Sequence, residues 1–178
     1  MPNSFDLPWQ AHQLVQSIAR REVSCREVMS AYLKRIERLN PKVNALISLE
    51  PPEHLLAQAD AKDKALARGE PAGLLGGLPH AVKDLALTQG IRTTFGSPLF
   101  KDEVPGQDSI MVERLKAAGA IVIGKTNVPE FGMGSQTYNP LFGATACAYD
   151  TSRTAGAAAA ARRRRWPCNS CHSPTVAT

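Results

Sequence analysis

Gly119-Ala120-Ile121-Val122-Ile123-Gly124-Lys125-Thr126-Asn127 is the stretch that decides the architecture. Ala120 to Ile123 is short and continuously apolar, the composition of a strand covered on both faces. It runs into a polar turn, and α/β folds place their ligands at the carboxyl ends of strands. Upstream, His80 to Leu85 reads as a second buried strand, this one carrying Lys83. Between the two, after a loop from Thr88 to Pro105, Asp108 is expected to cap a helix. Ile110, Met111, Leu115 and Ala118 would form its inner face, and Gly119 would close it. Strand, helix and strand in succession predict an α/β sheet with parallel pairing. Downstream, Thr126-Asn127-Val128-Pro129-Glu130-Phe131 opens another turn and short helix.

Before Gly73 the pattern is helical. Pro8 suits a first helical position, and Ala11, Leu14, Val15 and Ile18 make one apolar face of a helix running to about Arg20. Ser24 and Glu27 form a capping-box pattern for a second helix. Val28, Tyr32, Leu33, Ile36 and Leu39 follow at helical spacing, and Asn40-Pro41 is expected to stop it. Val43 to Leu49 reads as a strand or an extended link. Pro52 opens a third helix with Leu55, Leu56, Ala59 and Leu66 inward and Asp60, Lys62, Asp63 and Lys64 outward; Gly69 ends it.

The bulk numbers narrow the function classes. At 178 residues the chain can bury one sizeable core, and 43% hydrophobic with 21% charged residues is ordinary for a soluble globular domain. The net charge of +5 hints at an acidic partner until it is localised. Of the 21 basic residues four are Arg162 to Arg165, so the chain up to Gly156 holds 17 against 16 acidic ones. That body has no nucleic-acid footprint. The start lacks the basic and apolar regions of a signal peptide, and no apolar run approaches the ~20 residues that span a bilayer. Cys25 and Cys147 are no disulfide framework, so a cytoplasmic setting is expected.

Lys83 is the first residue with chemistry in it. Desolvation favours the neutral form of a lysine in an apolar strand, and a neutral amine can act as a base. The commonplace alternative is a strand-end lysine that reaches solvent or pairs with Asp84. Lys125 reads as a surface charge rather than a second base, with Thr126 and Asn127 satisfying local backbone groups.

Taken together, these segments resemble the amidase signature family. The matching text is Gly77-Leu78-Pro79-His80-Ala81-Val82-Lys83-Asp84-Leu85, then Thr93-Thr94-Phe95-Gly96-Ser97 and Ala117 through Asn127. It continues in Asn139-Pro140-Leu141-Phe142-Gly143-Ala144-Thr145, Tyr149-Asp150 and Ser152-Arg153-Thr154-Ala155-Gly156. Several separate motifs in one order are far more specific than a lone glycine pattern. The resemblance implies an α/β fold: an N-terminal helical layer, then the start of a mixed, mainly parallel sheet flanked by helices. It spans 7–156, and the family's core would be incomplete here. It also implies hydrolysis of a carboxylic amide by a serine, a second serine in cis conformation and a lysine, a variant of triad logic. On this reading Lys83 is the catalytic lysine, and Gly132, Met133, Gly134 and Ser135 line the acyl pocket. A small carboxamide is the expected substrate, with no cofactor, metal, membrane or nucleic-acid partner; a homodimer of the parent is left open. The runner-up is the glutaminase subunit of a tRNA-dependent amidotransferase, although Val128-Pro129-Glu130-Phe131 and Gln136-Thr137-Tyr138-Asn139-Pro140 look more like general amidases.

At Gly156 the chain departs from the family. A Gly-Ser-Ser-Gly-Gly loop containing the cis serine should follow, but Ala157 to Ala161, Arg162 to Arg165 and a cysteine-bearing tail stand there. A one-base deletion in a GC-rich gene accounts for this. With suitable third bases, 156–178 read one register over become Gly-Ser-Ser-Gly-Gly-Ala-Ala-Ala-Ala-Leu-Ala-Leu-Gln-Leu-Val-Pro-Phe-Ala-Asp-Gly-Ser-Asp. The expected organisation is therefore an amidase-signature part over 1–156 and a non-native basic tail over 157–178. Lacking both serines, the chain is expected to be inactive, and its sheet to be left uncovered and loosely packed. Cys168-Asn169-Ser170-Cys171-His172 matches the haem c attachment spacing, but without an export signal it reads as accidental. From a different class, the arginine run suggests a basic-tailed nucleic-acid-binding module, which a salt-dependent shift lost on removing 157–178 would reveal.

Overall fold

The computed structural model describes residues 10–156. Three helices come first: α1 (Ala11–Ala19), α2 (Cys25–Val43) and α3 (Pro52–Ala67), with the two-residue strand β1 (Leu46–Ile47) between the last two. Then follow β2 (Pro79–Lys83), a 3-10 turn at Pro98–Phe100, α4 (Ile110–Ala117) and β3 (Ile121–Thr126). The segment ends with a 3-10 turn at Glu130–Gly132 and a small hairpin of β4 (Tyr138–Asn139) and β5 (Gly143–Ala144). The anticipated start of the first helix at Pro8 and the whole 157–178 tail lie outside the described residues.

The Ser24–Glu27 capping box forms as its pattern predicts, each residue donating its backbone amide to the other's side chain. A second cap comes from α3. Asp63 accepts from the Cys25 and Arg26 amides at 2.7 and 3.1 Å, so it closes the helix start instead of facing solvent. Pro41 does not stop α2, which runs on to Val43. Asn44 ends it in the left-handed conformation at φ 51°, its amide donating to the Asn40 carbonyl. The Asn40 side chain then accepts from the Ala45 and Leu46 amides and donates to the Leu46 carbonyl. Asparagine chemistry on both sides of the proline, not the proline, turns the chain into β1.

α4 also differs from its expected form. Ser109, not Asp108, is the N-cap residue. Asp108 instead accepts from the Gln89 amide at 2.7 Å and pairs with Lys116 at 2.7 Å, tying the helix to the loop before it. Val112 is the fully buried contact of α4, while Ile110 and Met111 are exposed.

The strand order is β1-β3-β2, with β3 parallel to β2 and antiparallel to β1. This is the mixed sheet anticipated, and the longer of its two pairings is the parallel one. Every residue of β3 is buried. On one side Ile121 and Ile123 join Leu14, Ile18, Val28, Met29, Ile36 and Leu55 of the helical layer. On the other, Val122 and Val82 pack with Val112 of α4 and Ile91. The central strand is therefore covered on both faces by the described residues themselves, contrary to the expected open sheet. No helix among the described residues is long and apolar enough to cross a membrane.

The register carries one irregularity that shapes the site. His80 pairs with Val122 but Ala81 pairs with Gly124, so β3 contains one extra residue. An unbulged strand would alternate strictly and put Lys125 on the face of Ile121 and Ile123. The bulge moves Lys125 onto the α4 face and leaves Thr126 in the row of Lys83. Gly124 makes this possible. Its φ is +149°, and a methyl group there would sit 2.7 Å from the Ser48 carbonyl oxygen and 2.8 Å from the Leu49 Cα.

Candidate active site

Lys83 is the last residue of β2, at its carboxyl end, in register with Thr126 of β3. Its side chain is half-buried and makes no hydrogen bond or ion pair with a described residue. It does not pair with Asp84, whose side chain lies on the opposite face. Asp84 is fully buried and accepts from the Thr94 amide at 3.1 Å and from the Thr94 hydroxyl. Burial pushes its carboxyl above the usual range, against the pull of Thr94, Lys125 and the Gly96 amide.

Lys125 corrects the surface assignment made from the sequence. It is fully buried, and its Nζ donates to the Ala86 carbonyl and, at 2.7 Å, to the Thr88 hydroxyl. Burial lowers its pKa from 10.5 to about 8, while Asp84 and Asp108 favour the charged form. Lys125 meets the same description that singles out Lys83, a lysine in an apolar strand. It holds the chain that leaves β2, and Asp84 holds the loop at Thr93–Ser97. Asn127 is likewise more than a local turn residue. It donates to the Thr145 hydroxyl at 3.0 Å and accepts from Asn139, pinning the hairpin region to the end of β3.

The loop after Thr94 reaches the second predicted stretch. Phe95 and Phe131 both adopt the left-handed backbone conformation, at φ 55° and 53°, and the Phe131 amide donates to the Phe95 carbonyl at 2.7 Å. Bulky residues in that conformation are strained and cluster where a site over-determines the backbone. Phe100 bridges them through edge-to-face contacts with both rings. Gly132 follows at φ +73°, and a methyl group on it would meet Leu85 Cδ1 at 2.7 Å. Met133, Gly134 and Ser135 continue as an exposed strip. At the far end of this strip a methyl group on Gly156 would lie 3.8 Å from the Ser135 carbonyl oxygen, and Gln136 bridges to Gly156 as in an antiparallel pair. Thr137 also donates its amide to the Ala155 carbonyl.

The strip Gly132–Ser135 therefore runs from Leu85, two residues past Lys83, to Gly156. The sequence alone offered no signal for this closure, because it depends on the β4–β5 hairpin and on pairing between 136–137 and 154–156. Thr126, expected to satisfy a local backbone group, does not do so: its hydroxyl is buried without a hydrogen-bond partner among the described residues, one strand away from Lys83.

A family model described as Amidase matches residues 27–160. A glutamyl-tRNA(Gln) amidotransferase subunit from Thermosynechococcus vestitus is 43% identical over 144 residues, which is 81% of this chain and 30% of that protein. Among solved structures, a protein of a vestigial complex that bears on the origins of an s-triazine catabolic enzyme is 36% identical, with a TM-score of 0.79 over 85% of this chain and 33% of that one. A bacterial aryl acylamidase of the amidase signature family is 27% identical, with a TM-score of 0.79 over 87% of this chain and 32% of that one. The chain thus spans about 30% of the length of the curated relative it matches.

Proposed function

Because the chain belongs to the amidase signature family, we propose that its described part is the lysine-bearing portion of an amide hydrolase, with Lys83 as the proton acceptor. The observation that carries this is the path of the strip Gly132–Ser135. It begins against Leu85 and ends against Gly156, the residue after which the family places its serine loop. A loop starting at Gly156 begins next to the wall that would hold the acyl group, and that wall starts next to the strand end that carries Lys83.

In the parent enzyme the neutral Lys83 amine takes a proton through the bridging serine. The nucleophilic serine then attacks the amide carbonyl carbon, and backbone amides hold the oxyanion. Half-burial at a strand end suits Lys83 to this work, since it leaves the amine within reach of a loop that begins at Gly156. Its lack of a described partner leaves the nitrogen free for the serine. The backbone of Gly132, Met133, Gly134 and Ser135 shapes the acyl pocket. The substrate class is a small carboxamide. A second reading, the side-chain amide of glutamine, is favoured by the curated relative named above. We place the parent in the cytoplasm, in keeping with Cys25 and Cys147, which form no disulfide with each other.

The chain as written does not turn over amides. Neither serine of the family's loop follows Gly156, and losing one member of such a catalytic unit costs about as much as losing all. The single-base slip accounts for the change of text at that point, and sequencing the gene across codon 156 tests it directly. Repairing the frame by one base and assaying acyl transfer to hydroxylamine tests the chemistry. The repaired protein should form hydroxamate from small amides, K83A in that background should lose at least about a thousandfold, and the chain as written should form none. Glutamine against propionamide as acyl donor separates the two substrate readings. Hydroxamate formed by the chain as written, at a rate that K83A does not change, refutes the assignment of Lys83.

A further inference from the structure

We propose that Thr126 is a positioning residue for Lys83: the two side chains share a row of the sheet without a hydrogen bond between them in this structure, and a turn of the lysine side chain would let the Thr126 hydroxyl accept from Nζ; the inference rests on the reading of Lys83 as proton acceptor. The starting observation is an unsatisfied atom. Thr126 is only 6% exposed and its Oγ1 has no hydrogen-bond partner. Buried hydroxyls are nearly always satisfied, so one that is not calls for a reason.

Its surroundings supply the reason. Thr126 stands in one row of the sheet between Leu46 of β1 and Lys83 of β2. Leu46 offers no side-chain donor. Lys83 offers an amine, and it has no described partner of its own. Adjacent strands lie about 4.8 Å apart, and paired residues point to the same face. The four-carbon stem of lysine spans that gap with bonds to spare. Two neighbouring charged groups are committed on the other face, where Asp84 accepts from Thr94 and Lys125 donates to Ala86 and Thr88. The bulge at Ile123–Gly124 is what sorts these groups. Without it Thr126 would leave Lys83's row.

The arrangement suits a lysine base. A neutral amine has two N–H donors and one lone pair, and the lone pair must face the hydroxyl it deprotonates. Lysine is flexible, so a fixed acceptor on one N–H restricts where the lone pair points. Threonine is stiff at χ1, and here its backbone is held as well, since the Asp84 amide donates to the Thr126 carbonyl at 3.2 Å.

The test measures acetylation of each lysine in the full chain by an amine-selective reagent, quantified by peptide mass spectrometry. In T126V, Lys83 should be acetylated about fivefold faster, the factor that one hydrogen bond represents. In T126S, which keeps the hydroxyl, the rate should return to that of the parent chain. Lys125 and Lys116 serve as internal controls and should not change. A Lys83 rate in T126V within twofold of the parent overturns the inference. So does a T126S rate that rises with T126V, or a general rise at all three lysines, which would mark loosened packing. No amide is hydrolysed in this assay, so its outcome is independent of the hydroxamate experiment, and either reading can fail alone.

Discussion

Replacing Lys125 by methionine keeps most of the side-chain volume and removes the buried amine. In the folded chain burial holds the Lys125 pKa at about 8, against 10.5 for the free group. At about 1.4 kcal/mol per pKa unit, that difference is worth roughly 3 kcal/mol. The sign follows from proton counting. Between pH 8 and 10.5 the unfolded chain keeps the proton on this lysine while the folded chain has released it. Stability therefore rises with pH across that window, and the full cost of burying the ammonium is felt below pH 8. Cys25 works in the opposite direction. Burial, reinforced by Asp63, pushes its thiol from 9.0 up to about 12, so the folded chain keeps a proton that the unfolded chain loses, and stability falls from pH 9 upward. Between about pH 9 and 10.5 the two contributions oppose each other, so the raw pH profile of the chain isolates neither.

The difference between the chain and K125M isolates the lysine, because Cys25 contributes equally to both. Asp84, Asp108 and Lys116, the charged groups that face Lys125, are present in both proteins, although K125M removes the pull by which Lys125 lowers the pKa of the two carboxyls. Urea unfolding followed by far-UV circular dichroism at pH 7, 8, 9 and 10 measures the difference. The chain should gain on K125M by about 2–3 kcal/mol between pH 8 and 10 and hold level between pH 7 and 8. A difference that stays flat from pH 7 to 10 would mean that Lys125 carries its charge through the whole range. The buried geometry described for it would then be wrong.

Two further predictions test the packing that positions the site. G124A should destabilise by at least about 3 kcal/mol, because the new methyl meets backbone at Ser48 and Leu49, whereas G143A, at φ +72° with open space around it, should cost about 1 kcal/mol. Equal midpoint shifts in urea would argue against the close approach of β1 to the bulge. Cys25, with its thiol pKa at about 12, holds only on the order of one thiolate in ten thousand at pH 8. Iodoacetamide at that pH should therefore alkylate it at least about a hundredfold more slowly than the half-buried Cys147, as read by peptide mass spectrometry. Comparable rates would show that α2 does not bury its first turn against Asp63 and Gly77.

Local chemistry makes much of this fold legible in the sequence. The Ser24–Glu27 box, the continuously apolar β3 and the strand–helix–strand order each report an interaction between near neighbours or a uniform environment, and each forms as read. The failures share one cause, the placement of a residue by elements far from it in sequence. Pro41 looked like a stop because a proline removes an amide donor, yet in the last turn of α2 that loss is tolerated and Asn40 and Asn44 decide where the helix ends. Asp63 looked like a solvent-facing charge because nothing in α3 reveals that the start of α2 lies against it. Lys125 is the instructive case for the site. Counting by twos along β3 puts it on one face, and a single inserted residue, visible only in its pairing with β2, puts it on the other beside Asp84. That same insertion leaves Thr126 and Lys83 facing one another across two strands. Which of the two lysines stands half-buried at a strand end and which becomes a structural clamp is therefore settled by the register of β3 against β2, a property of the strand pair that neither strand's own residues display.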